Sequence, residues 1–122
     1  LEFRRVLFRS TWIKKCKRAD YETEALILFT EREAEHAYLY IEEKLKKLDP
    51  DGEYQLSYMN RDSQNFKKGL TVTTFYLAKG LEFDQVFGVF AADAEDGLSK
   101  QAKYIAATRA LHELHMYDYK KL

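Results

Sequence analysis

Cysteine, proline and glycine are scarce in this chain of 122 residues, which contains 1, 1 and 5 of them respectively. The single cysteine, Cys16, has no partner for an internal disulfide, so a reducing cytoplasmic setting is the simplest expectation. One proline and few glycines argue against a long disordered linker. No apolar run is long enough to span a membrane and the first residues lack the apolar centre of a secretory signal, so no membrane partner is expected.

An excess of charge is also absent, because 20 basic and 20 acidic side chains balance to a net charge of 0. Composition alone therefore gives no support for nucleic-acid binding, although a local basic patch would suffice. Residues 1–20 form a basic segment, which we interpret as a solvated terminus whose first residues, Leu1–Phe3, are a candidate cloning remnant. Residues 21–122 are predicted to form one folded domain. Because the first residue is not Met, we expect a fragment or a processed product.

The pattern of apolar residues predicts an α/β domain, with a mostly parallel sheet of about five strands flanked by helices. The clearest element is a helix over 31–48, where apolar residues recur at spacings of three and four until Asp49-Pro50-Asp51-Gly52 ends it. A second helix is predicted from an N-cap at Ser99 to about Ala110. The predicted strands are 24–30, 54–59, 70–75, 85–90 and 113–119.

The turn Ala78-Lys79-Gly80-Leu81-Glu82 follows a β-branched strand and carries the first candidate site. We expect it at the carboxyl edge of the sheet, where ligands bind in open α/β folds. Gly80 permits a positive φ and a close approach of the backbone, while Lys79 offers a cation and Glu82 an acceptor. These groups suit a phosphate and a sugar hydroxyl. The alternative is an ordinary turn with exposed side chains, because short motifs often arise by chance.

Arg109 is the second candidate, since it follows a run of small residues in Tyr104–Ala110, YIAATRA. It falls one helical turn after the apolar Ile105, and the short neighbouring alanines leave its guanidinium free to point outward from the domain. The alternative is a cation that stabilises a helix C-terminus and pairs with Glu113 or Glu82.

The segments 71–90, TVTTFYLAKGLEFDQVFGVF, and 104–110 together resemble motifs V and VI of the superfamily 1 helicases of the UvrD/Rep/PcrA group. The resemblance implies the second RecA-like lobe of a P-loop NTPase fold, within an ATP-dependent DNA helicase or translocase. It implies that Gly80, Glu82 and Arg109 contact the nucleotide, and that Arg109 is a catalytic arginine finger. The region between residues 30 and 71 is too short for the large DNA-gripping subdomain of many relatives, which suggests a compact branch.

The same resemblance implies that Thr74, Tyr76 and Lys79 contact single-stranded DNA. Tyr76 and Leu77 stand where the family usually has His-Ser, so Tyr76 is either a residue on which a base stacks or a core tyrosine. Arg9, in the sequence Leu7-Phe8-Arg9-Ser10-Thr11, resembles the motif IV arginine. The segment that follows is shorter than in the family, and a chance likeness stays open.

A phosphate-binding G-x-x-x-x-G-K-[ST] motif is absent, so ATP and Mg²⁺ are expected to be bound mainly by a missing first lobe, and the chain alone to be inactive. The expected partners are single-stranded or partly duplex DNA, that first lobe, and RNA polymerase or repair proteins. No metal site is predicted, because Cys16 and the histidines lack the spacing of ligands. His112 and His115 are expected to face solvent.

A different class of function also fits the sequence. The chain could keep the fold of the lobe as a non-catalytic module that binds single-stranded nucleic acid or a protein partner. The 9 tyrosines would then supply the interaction surface.

Overall fold

The computed structural model describes residues 21–52, 55–61 and 68–118. Within these ranges five strands form one sheet in the order β2-β3-β1-β4-β5, and every pairing is parallel. The predicted α/β class is therefore confirmed, whereas Arg9 and Cys16 lie outside the described residues. The elements are β1 (Thr23–Leu28), α1 (Glu31–Leu48), β2 (Leu56–Tyr58), β3 (Gly69–Thr74), β4 (Phe83–Phe90), α2 (Gly97–Thr108) and β5 (Ala110–Asp118).

Helix α1 begins and ends where its sequence predicts. Thr30 is the N-cap, and its Oγ1 accepts a 3.1 Å hydrogen bond from the amide of Glu33. The Glu33 carboxylate accepts in return from the backbone of Phe29 and Thr30, which opposes the rise in its pKa that burial causes. This reciprocal capping box satisfies donors that a helix N-terminus would leave unpaired. A buried stripe then packs α1 on the sheet: Ala34, Ala37, Ile41 and Leu45.

Helix α2 differs from its prediction at both ends. Its N-cap is Asp96, whose Oδ2 accepts a 2.9 Å bond from the amide of Ser99, while the Ser99 hydroxyl donates to Asp96 Oδ1 over 2.7 Å. Ser99, the predicted cap, is instead the third residue of the helix. The helix ends at Thr108, since the Arg109 amide bonds to the carbonyl of Ala106 and Arg109 is the C-cap.

The connection from β3 to β4 passes over the face of the sheet that α2 covers. Strands β3 and β4 lie on either side of β1 and run in the same direction. Residues 75–82 therefore have to return from the carboxyl edge of the sheet, where the strands end, to the amino edge, where they begin. Phe75 and Ala78 of this segment are buried and belong to one core cluster with Ile105 and Ala106 of α2. The opposite face carries a second core beneath α1.

Strand β5 forms one edge of the sheet and begins at Ala110, three residues earlier than predicted, because it continues its pairing with β4 as far as Phe83. Its apolar side chains Leu111, Leu114 and Met116 remain largely exposed. Neither helix in the described part of the chain is both long and apolar enough to cross a membrane.

Candidate functional site

Between Thr74 and Phe83, the motif V segment runs from the carboxyl edge of the sheet, where the parallel strands end, to its amino edge, where they begin. Thr74 pairs with Leu28 at the carboxyl end of β1, whereas Gln85 pairs with Glu24 near its amino end. Glu82 precedes Gln85 by three residues, so it lies about 20 Å from Thr74 along the strand direction, at about 3.3 Å per residue. The expectation that the whole turn lies at the carboxyl edge is therefore wrong for Gly80 and Glu82.

At the amino edge the structure brings Arg109 beside Phe83 of the motif V segment. The amide of Phe83 donates a 2.9 Å hydrogen bond to the carbonyl oxygen of Arg109, and Phe83 pairs with Ala110. Gly80 adopts the predicted positive φ, at +80°, and a Cβ at this position would meet nothing within 4 Å. Glu82 is exposed in the same turn. Gly80, Glu82 and Arg109, the three residues predicted to contact a nucleotide, thus lie at one edge of the sheet.

The Arg109 side chain is half-buried. Its Nη2 donates to Thr108 Oγ1 over 3.2 Å, and the Thr108 hydroxyl donates to the carbonyl of Ile105 over 3.0 Å. The Nε is buried and has no hydrogen-bond partner among the described residues. Across 21–52, 55–61 and 68–118 no carboxylate forms an ion pair with this guanidinium. Pairing with Glu113 or Glu82, the alternative weighed from the sequence, is not observed.

Thr74 and Tyr76, two of the three residues predicted to touch DNA, lie near the carboxyl edge, whereas Lys79 lies in the segment that returns to the amino edge. Thr74 is 1% exposed, and its Oγ1 finds no hydrogen-bond partner in the described part of the chain. Tyr76 is half-buried with its ring edge-on to Phe75, at 5.4 Å between ring centres. The Arg61 guanidinium carbon lies 5.8 Å from the centre of the Tyr76 ring. Lys79 is exposed beside Gly80, in the returning segment.

Comparison with known proteins agrees with the resemblance seen in the sequence. Residues 69–117 match the family model of the UvrD-like helicase C-terminal domain. The matched range begins with β3, ends within β5, and includes both motif V and Arg109.

A solved structure, the C-terminal domain of a possible DNA helicase from Lactobacillus plantarum WCFS1, is similar to this chain with a TM-score of 0.62. The two chains are 20% identical, and the similarity covers 96% of this chain and 66% of that one. At this level of identity the likeness shows that the two chains share an α/β fold. No curated protein matches the chain.

Asp84 lies within the matched range, and sequence reasoning did not select it. Its Oδ2 accepts from the amides of Glu22 and Thr23, over 3.0 and 3.1 Å, while Thr23 Oγ1 accepts from the Asp84 amide over 3.0 Å. His112, exposed as predicted, lies 3.8 Å from Asp84 Oδ1 and stacks on Tyr21. Asp84 therefore joins the start of β1 to the start of β4, two residues after Glu82. Its place in motif V was the only sequence signal.

His115 does not face solvent as predicted. Its Nε2 lies 3.1 Å from Gln85 Oε1 and 3.2 Å from Glu113 Oε2, and its ring stacks on Phe87 with 5.0 Å between ring centres. The reason is the pairing of β5 with β4, which sets His115 beside Phe87. The contacts of His115 hold the edge strand to the sheet. The described residues contain no group of three or more His, Cys, Asp or Glu that could hold a metal ion.

Proposed function

We propose that this chain supplies the C-terminal lobe of an ATP-dependent DNA helicase or translocase. The observation that carries the proposal is the guanidinium of Arg109, which lies at the amino edge of the sheet beside motif V and is not neutralised by a described carboxylate. A half-buried cation without a carboxylate partner can bind an anion that a second domain presents at this edge of the sheet.

The residues at this edge fit a nucleotide triphosphate held mainly, together with Mg²⁺, by a first lobe outside this chain. Bound ATP supplies the phosphoryl group whose hydrolysis drives the motor. Arg109 offers a planar fork of donors for phosphate oxygens, and it neutralises the charge that develops during phosphoryl transfer. Gly80 keeps the turn free of side-chain bulk, and Glu82 offers an acceptor for a sugar hydroxyl.

The opposite edge contacts single-stranded DNA in this proposal. Tyr76 offers a ring for base stacking and Thr74 a buried hydroxyl without a described partner. Lys79, in the segment that returns from this edge, offers a cation for the phosphate backbone. The segment 75–82 joins the two edges directly, so that closure of a cleft around Arg109 is transmitted to the DNA contacts. Repeated closure and opening would convert hydrolysis into steps along the strand.

The first lobe is the partner that this mechanism requires. RNA polymerase and repair proteins are further partners that the family resemblance suggests, and partly duplex DNA is a further substrate.

Reconstitution tests the proposal. The first lobe is restored, and DNA-stimulated ATP turnover is compared between wild type and Arg109→Ala. We expect turnover to fall by a factor of about 10³ or more, the range observed for arginine fingers. Lys100→Ala, which removes one exposed charge from α2, is the matched control. Equal rates for wild type and Arg109→Ala would refute the role of the arginine.

A further inference from the structure

The outer edge of β5 pairs with no other strand in the described part of the chain, because β5 ends the sheet beyond β4. The strand is nine residues long, Ala110–Asp118, and contains neither lysine nor proline. Its pairing with β4 is irregular only near its start, and the register is regular from Glu113 to Asp118. Lysine, proline and bulges are devices by which many edge strands avoid further pairing. Most of β5 lacks them, so its outer edge can pair with another strand.

Two apolar side chains of β5 are exposed on the face of the sheet that α2 covers. Leu114 is 41% exposed and Met116 is 42% exposed. They pair with Val86 and Gly88 of β4, and Val86 belongs to the core beneath α2. The two side chains therefore continue this core to the outer edge of the sheet. An exposed apolar row beside an unpaired strand edge is typical of an interaction surface.

The opposite face of β5 carries a carboxylate and an imidazole two residues apart. Glu113 Oε2 lies 3.2 Å from His115 Nε2, and the Glu113 side chain is exposed. When two strands pair, unlike polar groups directly opposite each other stabilise the pair, whereas like charges destabilise it. The alternation of Glu113 and His115 therefore restricts the register in which a second strand of the same sequence can pair here.

We propose that β5 pairs with β5 of a second copy of this chain, antiparallel and about a two-fold axis at Leu114. An axis at Glu113 would set carboxylate against carboxylate, and an axis at His115 would set imidazole against imidazole. An axis at Leu114 instead sets each Glu113 opposite His115 of the partner subunit. The charge pattern thus selects one register, and the interface is self-complementary, as a two-fold dimer requires.

The same register covers the exposed apolar row. Leu114 lies directly opposite Leu114 of the partner subunit, with about 4.5–5.5 Å between their Cβ atoms. Met116 lies diagonal to the partner's Leu114, at about 7–8 Å, which is within reach of a long side chain. The two copies then share a sheet of ten strands. This interface uses the outer edge of β5 and requires neither ATP nor DNA, so it does not depend on the proposed function.

Sedimentation velocity of the 122-residue chain over a concentration series tests for the dimer. We expect the mass to rise with concentration from 14.4 kDa to twice that value. Leu114→Lys sets two ammonium groups against each other at the axis, and we expect the Kd of the dimer to increase about tenfold or more. Leu39→Lys, the same change at a leucine of α1 that is 51% exposed, is the matched control and should leave the Kd unchanged.

Disulfide trapping tests the register, in a chain that also carries Cys16→Ser. Leu114→Cys should form a covalent dimer on mild oxidation, because the two Cβ atoms face each other across the axis. Met116→Cys is the matched control, since Met116 is equally exposed on the same face of the same strand. Its counterpart lies four residues away along the strands, about 13 Å, which is beyond the reach of a disulfide.

Three results would overturn the proposal. The first is a chain that stays monomeric throughout the concentration series. The second is a dimer that Leu114→Lys weakens no more than Leu39→Lys does, and the third is cross-linking of Met116→Cys as readily as of Leu114→Cys. Thermal melting of each variant accompanies these measurements. If Leu114→Lys proves unstable, the two cysteine variants decide the question, because cysteine keeps the apolar character of the positions.

Discussion

The amide of Phe83, within motif V, donates a hydrogen bond to the carbonyl oxygen of Arg109, near the end of motif VI, over 2.9 Å. The bond uses only backbone atoms. It places the two residues at the start of neighbouring parallel strands, and it does not involve the Arg109 side chain.

Replacement of Arg109 by Lys should therefore separate stability from activity. We expect the thermal midpoint to stay close to that of wild type, because the backbone bond to Phe83 does not depend on the side chain. Turnover of the reconstituted motor should fall by a factor of about 10³, since Lys keeps a charge but lacks the planar fork of donors. Thermal melting and ATP hydrolysis on the same samples check this. A large drop in the midpoint would show that the side chain is structural.

Asp84→Ala should destabilise the domain by about 2–3 kcal/mol, because the carboxylate accepts two backbone bonds at the start of β1. Asp84→Asn retains an acceptor oxygen and should cost less. Urea unfolding of both variants measures the difference. Glu95→Ala, an exposed carboxylate in the loop before α2, is the matched control. Equal stability of Asp84→Ala and Glu95→Ala would contradict a stabilising role for the hydrogen bonds between Asp84 and the start of β1.

Two glycines with positive φ should differ in their tolerance of alanine. Gly80→Ala should cost about 1–2 kcal/mol from backbone strain alone, since its Cβ would enter open space. Gly69→Ala combines a φ of +93° with a clash against the carbonyl oxygen of Gln55, and we expect a larger loss. Chemical denaturation ranks the two variants. The reverse order would contradict the geometry at Gly69.

The cap of α2 should make its stability depend on acidic pH. Hydrogen bonds from the Ser99 hydroxyl and amide lower the pKa of Asp96 in the folded state. A lowered folded pKa means that stabilisation is present above the ordinary carboxyl pKa and is lost as pH falls through the folded value. The stability difference between wild type and Asp96→Ala should shrink on acidification through that window. Thermal melts over an acidic pH series measure it, and a constant difference would argue against the carboxylate as the cap.

Local interactions explain why part of the fold could be predicted. Helix α1 is correct from Glu31 to Leu48, because its cap, its apolar spacing and its stop at Pro50 all lie within the segment itself. The strands were recognised from their β-branched and apolar runs, but β4 and β5 each begin two or three residues early. Pairing between Phe83 and Ala110 extends both strands, and no short stretch of sequence contains that information.

The sequence by itself therefore determined the class of fold, helix α1, the positive φ at Gly80 and the similarity of residues 69–117 to the UvrD-like helicase C-terminal domain. Only the tertiary structure decided which edge of the sheet receives each candidate residue, that His115 turns inward, and that Arg61 approaches Tyr76. The physical reason is distance along the chain. Strand order depends on contacts such as that between Thr23 and Asp84, 61 residues apart, and a local pattern carries no record of which distant segment will lie beside it.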